Sequence, residues 1–169
     1  QKMSFRKKLF LIIKSRFVSF LINRVNERAF CLLLNFLFKT DGPIEFENNK
    51  YIKTTTNSKI YFPNKRILRI FINTQTQLDR IFKEYCLDKI NFKDGDTVLD
   101  CGANVGELFL SLNTKNIQTN YIGFEPDIET YNCLTLNTKN NKPSELFNVA
   151  LSNKTEKQKI YFDNEGGNT

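Results

Sequence analysis

The chain has 169 residues, is 40% hydrophobic and carries 16 Phe, which suits one packed domain with an appendage. Seven Gly, four Pro and no fixed repeat exclude collagen-like, low-complexity and solenoid chains. The net charge of +7 is uneven: residues 1–40 hold nine bases (Lys2, Arg6, Lys7, Lys8, Lys14, Arg16, Arg24, Arg28, Lys39) against one acid, Glu27, and the remainder holds 16 bases against 17 acids. No nucleic-acid partner is therefore expected, because that needs a basic face on the folded domain.

The cysteines, Cys31, Cys86, Cys101 and Cys133, form no C-x-x-C pair, and histidine is absent. No metal site is expected, and no Ser-His-Asp or Cys-His nucleophile is available. Scattered buried thiols in a reducing cytoplasm are the simplest expectation.

The N-terminal segment reads as one or two amphipathic helices, roughly Ser4 to Phe38. Val18, Ile22, Val25, Ala29, Leu32 and Phe36 recur at steps of four and three as one apolar face, with Arg24, Glu27 and Arg28 off it; Phe10, Ile13, Phe17 and Leu21 make a similar stripe. Asp41-Gly42-Pro43 ends the helices. The longest uncharged run, Ala29 to Phe38, is too short for a bilayer, which needs about 20 apolar residues. Met3 to Ile13 faintly resembles a signal peptide, but Lys14 interrupts it and no small-residue cleavage site follows. Two expectations stand: a helix packed on its own domain or a partner subunit, or a basic helix in peripheral contact with an anionic membrane through residues 1–40.

Tyr51–Thr56 and Lys59–Phe62, separated by Asn57-Ser58, predict a β-hairpin. Ile67–Asn73 reads as a third strand or a helix start. Thr76–Ile90 reads as a helix with Leu78, Ile81, Phe82, Tyr85 and Leu87 as its apolar face. Asp94-Gly95-Asp96 is a turn. Thr97-Val98-Leu99 then predicts a buried parallel strand ending at Asp100, followed by a loop bearing Gly102 and Gly106 and a helix over Glu107–Leu112. Asn120–Phe124 predicts a second strand ending at Glu125-Pro126. Ile128–Asn140 predicts a second helix facing inward with Ile128, Tyr131, Cys133 and Leu134. Leu146–Leu151 predicts a third strand and Lys157–Phe162 a fourth. Strand-helix alternation with short links implies an α/β fold with a parallel sheet and right-handed crossovers.

In such sheets ligands sit at the carboxyl ends of the strands. Gly102 and Gly106 let the backbone turn sharply and approach a ligand. Glu125 follows Asp100 by 25 residues, at the end of the second strand, where a carboxylate can accept hydrogen bonds from both hydroxyls of a ribose. The dinucleotide fingerprint G-x-G-x-x-G is not met, since Asn104 stands at its middle glycine, and there is no phosphate-binding P-loop. Asp100 would repel phosphate and suits a ligand with a positive or amino-acid end. Each residue also has a plainer role: Asp100 as a helix cap, the glycines as a tight turn, Glu125-Pro126 as a solvated strand end, Asn137 and Asn141 as closure of a helix C-terminus.

Four motifs in order resemble the FkbM family of methyltransferases: Val98-Leu99-Asp100-Cys101-Gly102-Ala103-Asn104-Val105-Gly106, Gly123-Phe124-Glu125-Pro126, Leu134 with Asn137 and Asn141, and Asn148-Val149-Ala150-Leu151-Ser152. Gly166-Gly167-Asn168-Thr169 also looks like a family loop, and the match covers roughly Asp94 to Thr169. The resemblance implies a Rossmann-like class I methyltransferase sheet of seven strands, of which this chain holds the first three or four, preceded by the N-terminal helices and the hairpin. It implies three segments: 1–40 basic and helical, 41–93 leading in, and 94–169 the cofactor-binding half.

The cofactor implied is S-adenosyl-L-methionine. Asp100, Gly102 and Asn104 would border its methionyl part, Ala103 and Gly106 belong to the same cofactor-binding loop, and Glu125 would bind the ribose. Pro126 and Asp127 would flank the adenine, with Asn148 and Ala150 nearby. The reaction implied is O-methylation of a hydroxyl on a sugar, glycan or secondary metabolite, by a cytoplasmic enzyme. No general base is identified. Gln1 is not a start residue, and Thr169 stops where a family member continues, so the chain reads as a fragment. Such a fragment is expected to be aggregation-prone and inactive alone. The rival functions are a nicotinamide-dependent oxidoreductase and a non-catalytic membrane-peripheral or partner-docking module.

Overall fold

The computed structural model describes residues 16, 20, 24–56, 58–139, 144–157 and 159. Helix α1, Glu27–Leu37, starts where the Asn26 side chain accepts the Ala29 N–H, with Glu27 in its first turn. Residues 24–26 are not helical, so the helical reading of Ser4 to Phe38 is interrupted there. The buried face of α1 is Phe30, Cys31 and Leu34. Leu32 and Phe36, on the apolar face read from the sequence, are 71% and 87% exposed, so that face does not seat α1 on its sheet. Both sets have helical spacing, and packing selected the one carrying Phe30 and Cys31.

Helix α1 packs on an antiparallel sheet of β1 (Ile44–Glu47), β2 (Lys50–Thr54) and β3 (Lys59–Phe62), in the order β1-β2-β3. The β2–β3 hairpin matches the sequence expectation. Strand β1 does not, having been passed over in the sequence. It joins β2 through Asn48 and Asn49, both at positive φ, with Glu47 opposite Lys50. That is the two-residue hairpin turn in which Asn replaces the usual glycine.

Lys53 on β2 is fully buried. Its ammonium donates to Gly42 O at 2.7 Å and Phe71 O at 2.8 Å and pairs with Asp41 Oδ1 at 2.7 Å, so each of its three hydrogens has an acceptor. This clamp fixes the turn after α1 against the approach to α2. Burial pushes Asp41 up, but the Lys53 contact and the Thr74 N–H outweigh it and hold the acid below its usual range.

Residues 67–73 form neither a strand nor a helix start: a short 3-10 turn, Lys65–Arg69, precedes α2, Thr74–Glu84, which Asn73 caps. Helix α2 stops short of the predicted Ile90 because Cys86 turns left-handed at φ 54 and a second 3-10 turn, Leu87–Lys89, follows. Leu78, Ile81 and Leu87 are buried, whereas Tyr85 points out.

The second sheet is parallel, in the order β4-β5-β6: β4 (Thr97–Cys101), β5 (Asn120–Phe124) and β6 (Ser144–Phe147). Helix α3, Glu107–Asn113, links β4 to β5, and α4, Ile128–Thr138, links β5 to β6. This is an α/β, Rossmann-like strand-loop-helix arrangement. Two expectations are corrected. Strand β4, expected to be buried, has Leu99 63% exposed, because it is an edge of the described sheet and β5 is the middle strand. Strand β6 ends at Phe147, so Asn148 to Leu151 are not strand. On α4, Cys133 and Leu134 are buried as expected, but Ile128 is exposed. Of the predicted fourth strand, residues 157 and 159 are described and are not strand; the rest lies outside the described residues, as does Asn141.

Two cores result. Phe30, Leu34, Ile44, Tyr51, Ile60 and Phe62 pack between α1 and the antiparallel sheet, joined by Val105 and Cys133 from the α/β part. Leu108, Phe109, Leu112, Tyr121 and Leu134 pack within the α/β part. Asn137, buried on α4, joins the two: Oδ1 accepts Tyr61 N–H at 2.8 Å, and Nδ2 donates to Tyr61 O at 3.0 Å and Val105 O at 2.7 Å. It is structural, as expected, but serves β3 and the glycine loop rather than its own helix end. Cys31 and Cys133 are buried, and burial pushes their thiols up to about 11 and about 12; Cys86 and Cys101 are exposed, contrary to the expectation of four buried thiols.

Candidate functional site

Strand β4 ends in a loop that reverses direction within five residues. Gly102, Asn104 and Gly106 all have positive φ, at 85°, 50° and 88°. The loop is held by β5: Gly102 N–H and Ala103 N–H both donate to Phe124 O at 2.9 Å, and Asn104 N–H donates to Glu125 Oε2 at 2.8 Å. A Cβ on Gly102 would meet nothing within 4 Å, so the loop is open above it. Gly106 differs: a Cβ there would sit 3.0 Å from Leu134 Cδ1, which makes it a packing glycine at the start of α3.

Asp100 and Glu125 stand at the carboxyl ends of adjacent parallel strands. Asp100 does not cap α3, whose N-cap is Gly106; its Oδ2 accepts the Tyr121 hydroxyl at 2.5 Å. Burial pushes Asp100 above its ordinary range, and the Tyr121 hydrogen bond partly opposes this. Burial and the adjacent Asp100 push the Tyr121 hydroxyl far up, so it stays a donor. Glu125 is also buried and is no solvated strand end. Its Oε1 accepts Asp127 N–H at 3.0 Å, and burial raises it while the two backbone donors work against the shift. Asp127 caps α4, its Oδ2 accepting the Thr130 N–H and hydroxyl. Asn148 donates to Glu125 O at 2.9 Å and Pro126 O at 3.0 Å, fixing the turn after β5.

These groups border a cavity of about 1060 Å³. Of the residues singled out in the sequence, Asp100, Gly102, Ala103, Asn104, Glu125, Pro126, Asp127 and Ala150 line it; Gly106 and Asn148 do not, and act behind it. The facing wall was not foreseen. It includes Arg66 and Arg69 from the first 3-10 turn, Arg80 from α2, Tyr85 just after it, and Glu107. Glu107 is buried, its Oε2 lies 3.9 Å from Arg69 Nη1, and its Oε1 has no hydrogen-bond partner among the described residues. Burial pushes its carboxyl up, against the pull of Arg69 and Arg66. The sequence held one clue: a lone acid heading the apolar run Leu108-Phe109-Leu110.

The cleft thus sets open backbone at Gly102 and the acids Asp100 and Glu125 on one wall, which suits a hydroxyl-rich ligand there, and Arg66, Arg69 and Arg80 on the facing wall. Among the described residues no helix is long and apolar enough to cross a membrane.

No family model matches the chain, and no curated protein matches it. Two solved structures are similar over part of it. P. horikoshii TYW2 in complex with MeSAdo is 14% identical, over 73% of this chain and 48% of that one, with a TM-score of 0.45. Mycolic acid cyclopropane synthase CmaA1, in its apo-form, is 19% identical, over 46% of this chain and 27% of that one, with a TM-score of 0.34. The chain thus spans about half and about a quarter of the lengths of these structures. At these scores neither likeness assigns an activity to the chain.

Proposed function

We propose that the cavity binds S-adenosyl-L-methionine and that the chain carries the cofactor half of a methyltransferase. The observation that carries this is the tie between Asn104 N–H and Glu125 Oε2, which locks the glycine loop to the strand-end acid at the mouth of the cavity. The residues present fit the cofactor. Glu125 spends one lone pair of each oxygen on its own backbone, which orients it, and keeps the others for two ribose hydroxyls. Asp100 offers negative charge toward an amino or sulfonium group, and the open space above Gly102 lets a ligand approach the backbone. When bound, S-adenosyl-L-methionine supplies an electrophilic methyl on sulfonium sulfur. The chain's own residues position it and exclude water by burial. The FkbM resemblance supports a hydroxyl on a sugar, glycan or secondary metabolite as the acceptor, and the 1060 Å³ cavity leaves room for it beside the Arg66 and Arg69 wall.

Titration calorimetry of the chain with S-adenosylhomocysteine and, separately, NAD tests this proposal. Binding of S-adenosylhomocysteine alone is expected. A folded protein that ignores S-adenosylhomocysteine would sink the proposal, and one that prefers NAD would establish the oxidoreductase alternative.

A further inference from the structure

We propose that the outward face of α1 docks on an anionic lipid surface. Leu32 and Phe36 are 71% and 87% exposed and lie four residues apart, so they share one side of the helix. At 100° per residue that side is opposite Phe30 and Leu34, which seat α1 on its sheet. Isolated exposed apolar residues are ordinary. This pair is different because its flanks are basic: Arg24 and Arg28 before it and Lys39 after it are all exposed. Phe20, also exposed, lies under the Arg24 guanidinium at 4.4 Å. Arg16 is exposed as well. The single acid of residues 1–40, Glu27, sits in the first turn, while the rest of the chain is nearly balanced in charge.

Charge complementarity selects the occupant. A second copy on an isologous face would set these arginines against their own counterparts. A bilayer with anionic headgroups offers phosphates to the bases and an apolar layer to Leu32 and Phe36 on one plane. Helix α1, with 11 residues, is long enough to lie on that plane and too short to cross it. Each base brought near such a surface raises partitioning about fivefold. This inference does not depend on the cofactor site.

The test is flotation of the full chain with phosphatidylcholine vesicles, with and without phosphatidylserine, at low and high salt. Binding is expected only with phosphatidylserine, and is expected to weaken with salt. Leu32→Ser with Phe36→Ser, and separately Arg24→Glu with Arg28→Glu, should each lower the bound fraction by about tenfold or more. All four positions are exposed, so circular dichroism should be unchanged. No binding to phosphatidylserine vesicles at low salt would overturn the proposal. So would binding indifferent to the Ser pair, or a dimer in light scattering that the Ser pair abolishes while vesicles go unbound.

Discussion

Tyr121, in the second residue of β5, donates its hydroxyl hydrogen to Oδ2 of Asp100 on β4. In the parallel register Tyr121 stands beside Val98, so Asp100 is two residues further along the same face of the sheet. An apolar core residue therefore holds the acid of the glycine loop. Tyr121→Phe removes the one interaction that draws Asp100 back toward its ordinary range, while the burial that raises it remains. The variant should lose about 1–2 kcal/mol of stability in urea. It should also bind S-adenosylhomocysteine more weakly, because the hydrogen bond that orients Asp100 and favours its ionised form is gone. Calorimetry and urea melts on the same preparation check both.

Glu125 gives a prediction whose sign separates binding from folding. Its folded pKa is raised, chiefly by burial. A carboxyl raised on folding contributes stability that is complete below its unfolded pKa and lost as pH rises through its folded pKa. Acidification through its folded pKa therefore does not unfold the protein on Glu125's account, but it protonates the oxygens proposed to hold the ribose. Affinity for S-adenosylhomocysteine should fall on acidification, starting above the usual glutamate range, while the thermal midpoint holds. Affinity that stays flat until the protein itself unfolds would contradict the assigned role.

Gly102 and Gly106 share a left-handed backbone but should fail differently. Gly102→Ala pays for the positive φ, about 1–2 kcal/mol, and places a methyl over open space at the cavity wall. It should lose more affinity for cofactor than stability. Gly106→Ala bears the same strain and also presses on Leu134, which has 0% exposure. It should cost about 2–4 kcal/mol. Urea midpoints beside calorimetric affinities distinguish the two patterns.

The parts legible in the sequence are those written locally. Asn120–Phe124 is one apolar run bounded by turns, and the structure ends β5 at the same residues. The loop from Asp100 to Gly106 and the acid at Glu125 were readable because glycine spacing and strand ends are local features. The face of α1 was not, because Leu32 and Phe36 have the same spacing as Phe30 and Leu34, and only contact with β1 chooses between them. The far wall was not legible either: Arg66 and Arg69 precede the glycine loop by more than 30 residues and reach it through a 3-10 turn with no strong pattern. Strand β6 begins at Ser144, two residues before the predicted Leu146, and ends at Phe147, where Asn148 turns its amide to Glu125 O and Pro126 O, a side-chain alternative to continuing the ladder.

Asn137 is the joint between the antiparallel sheet and the α/β part. Asn137→Ala leaves the Tyr61 N–H and the carbonyls of Tyr61 and Val105 without their partner. A loss of about 3 kcal/mol is expected. Asn137→Asp keeps the acceptor and loses both donors. Amide exchange at Tyr61 should therefore speed up most in the alanine variant and less in the aspartate variant, whose carboxyl keeps the acceptor but sets an oxygen against the Tyr61 and Val105 carbonyls. Equal exchange in both would show that β3 is held in place without Asn137.

Glu107 is the buried acid that sequence patterns do not explain, and its contribution to stability has a calculable sign. Burial raises its folded pKa, and Arg69, 3.9 Å away and half exposed, only partly opposes this. Above that pKa the ionised carboxylate is held with Oε1 unpartnered, which costs stability; below the unfolded pKa the cost is absent. Glu107→Gln removes the charge and keeps the shape. The variant should melt about 2–4 °C higher at about pH 8, a gain on the order of 1 kcal/mol, and show no gain at about pH 4. Thermal melts of both proteins across that range check it. A variant less stable at the alkaline end would mean that the pairing with Arg69 outweighs the burial of the charge.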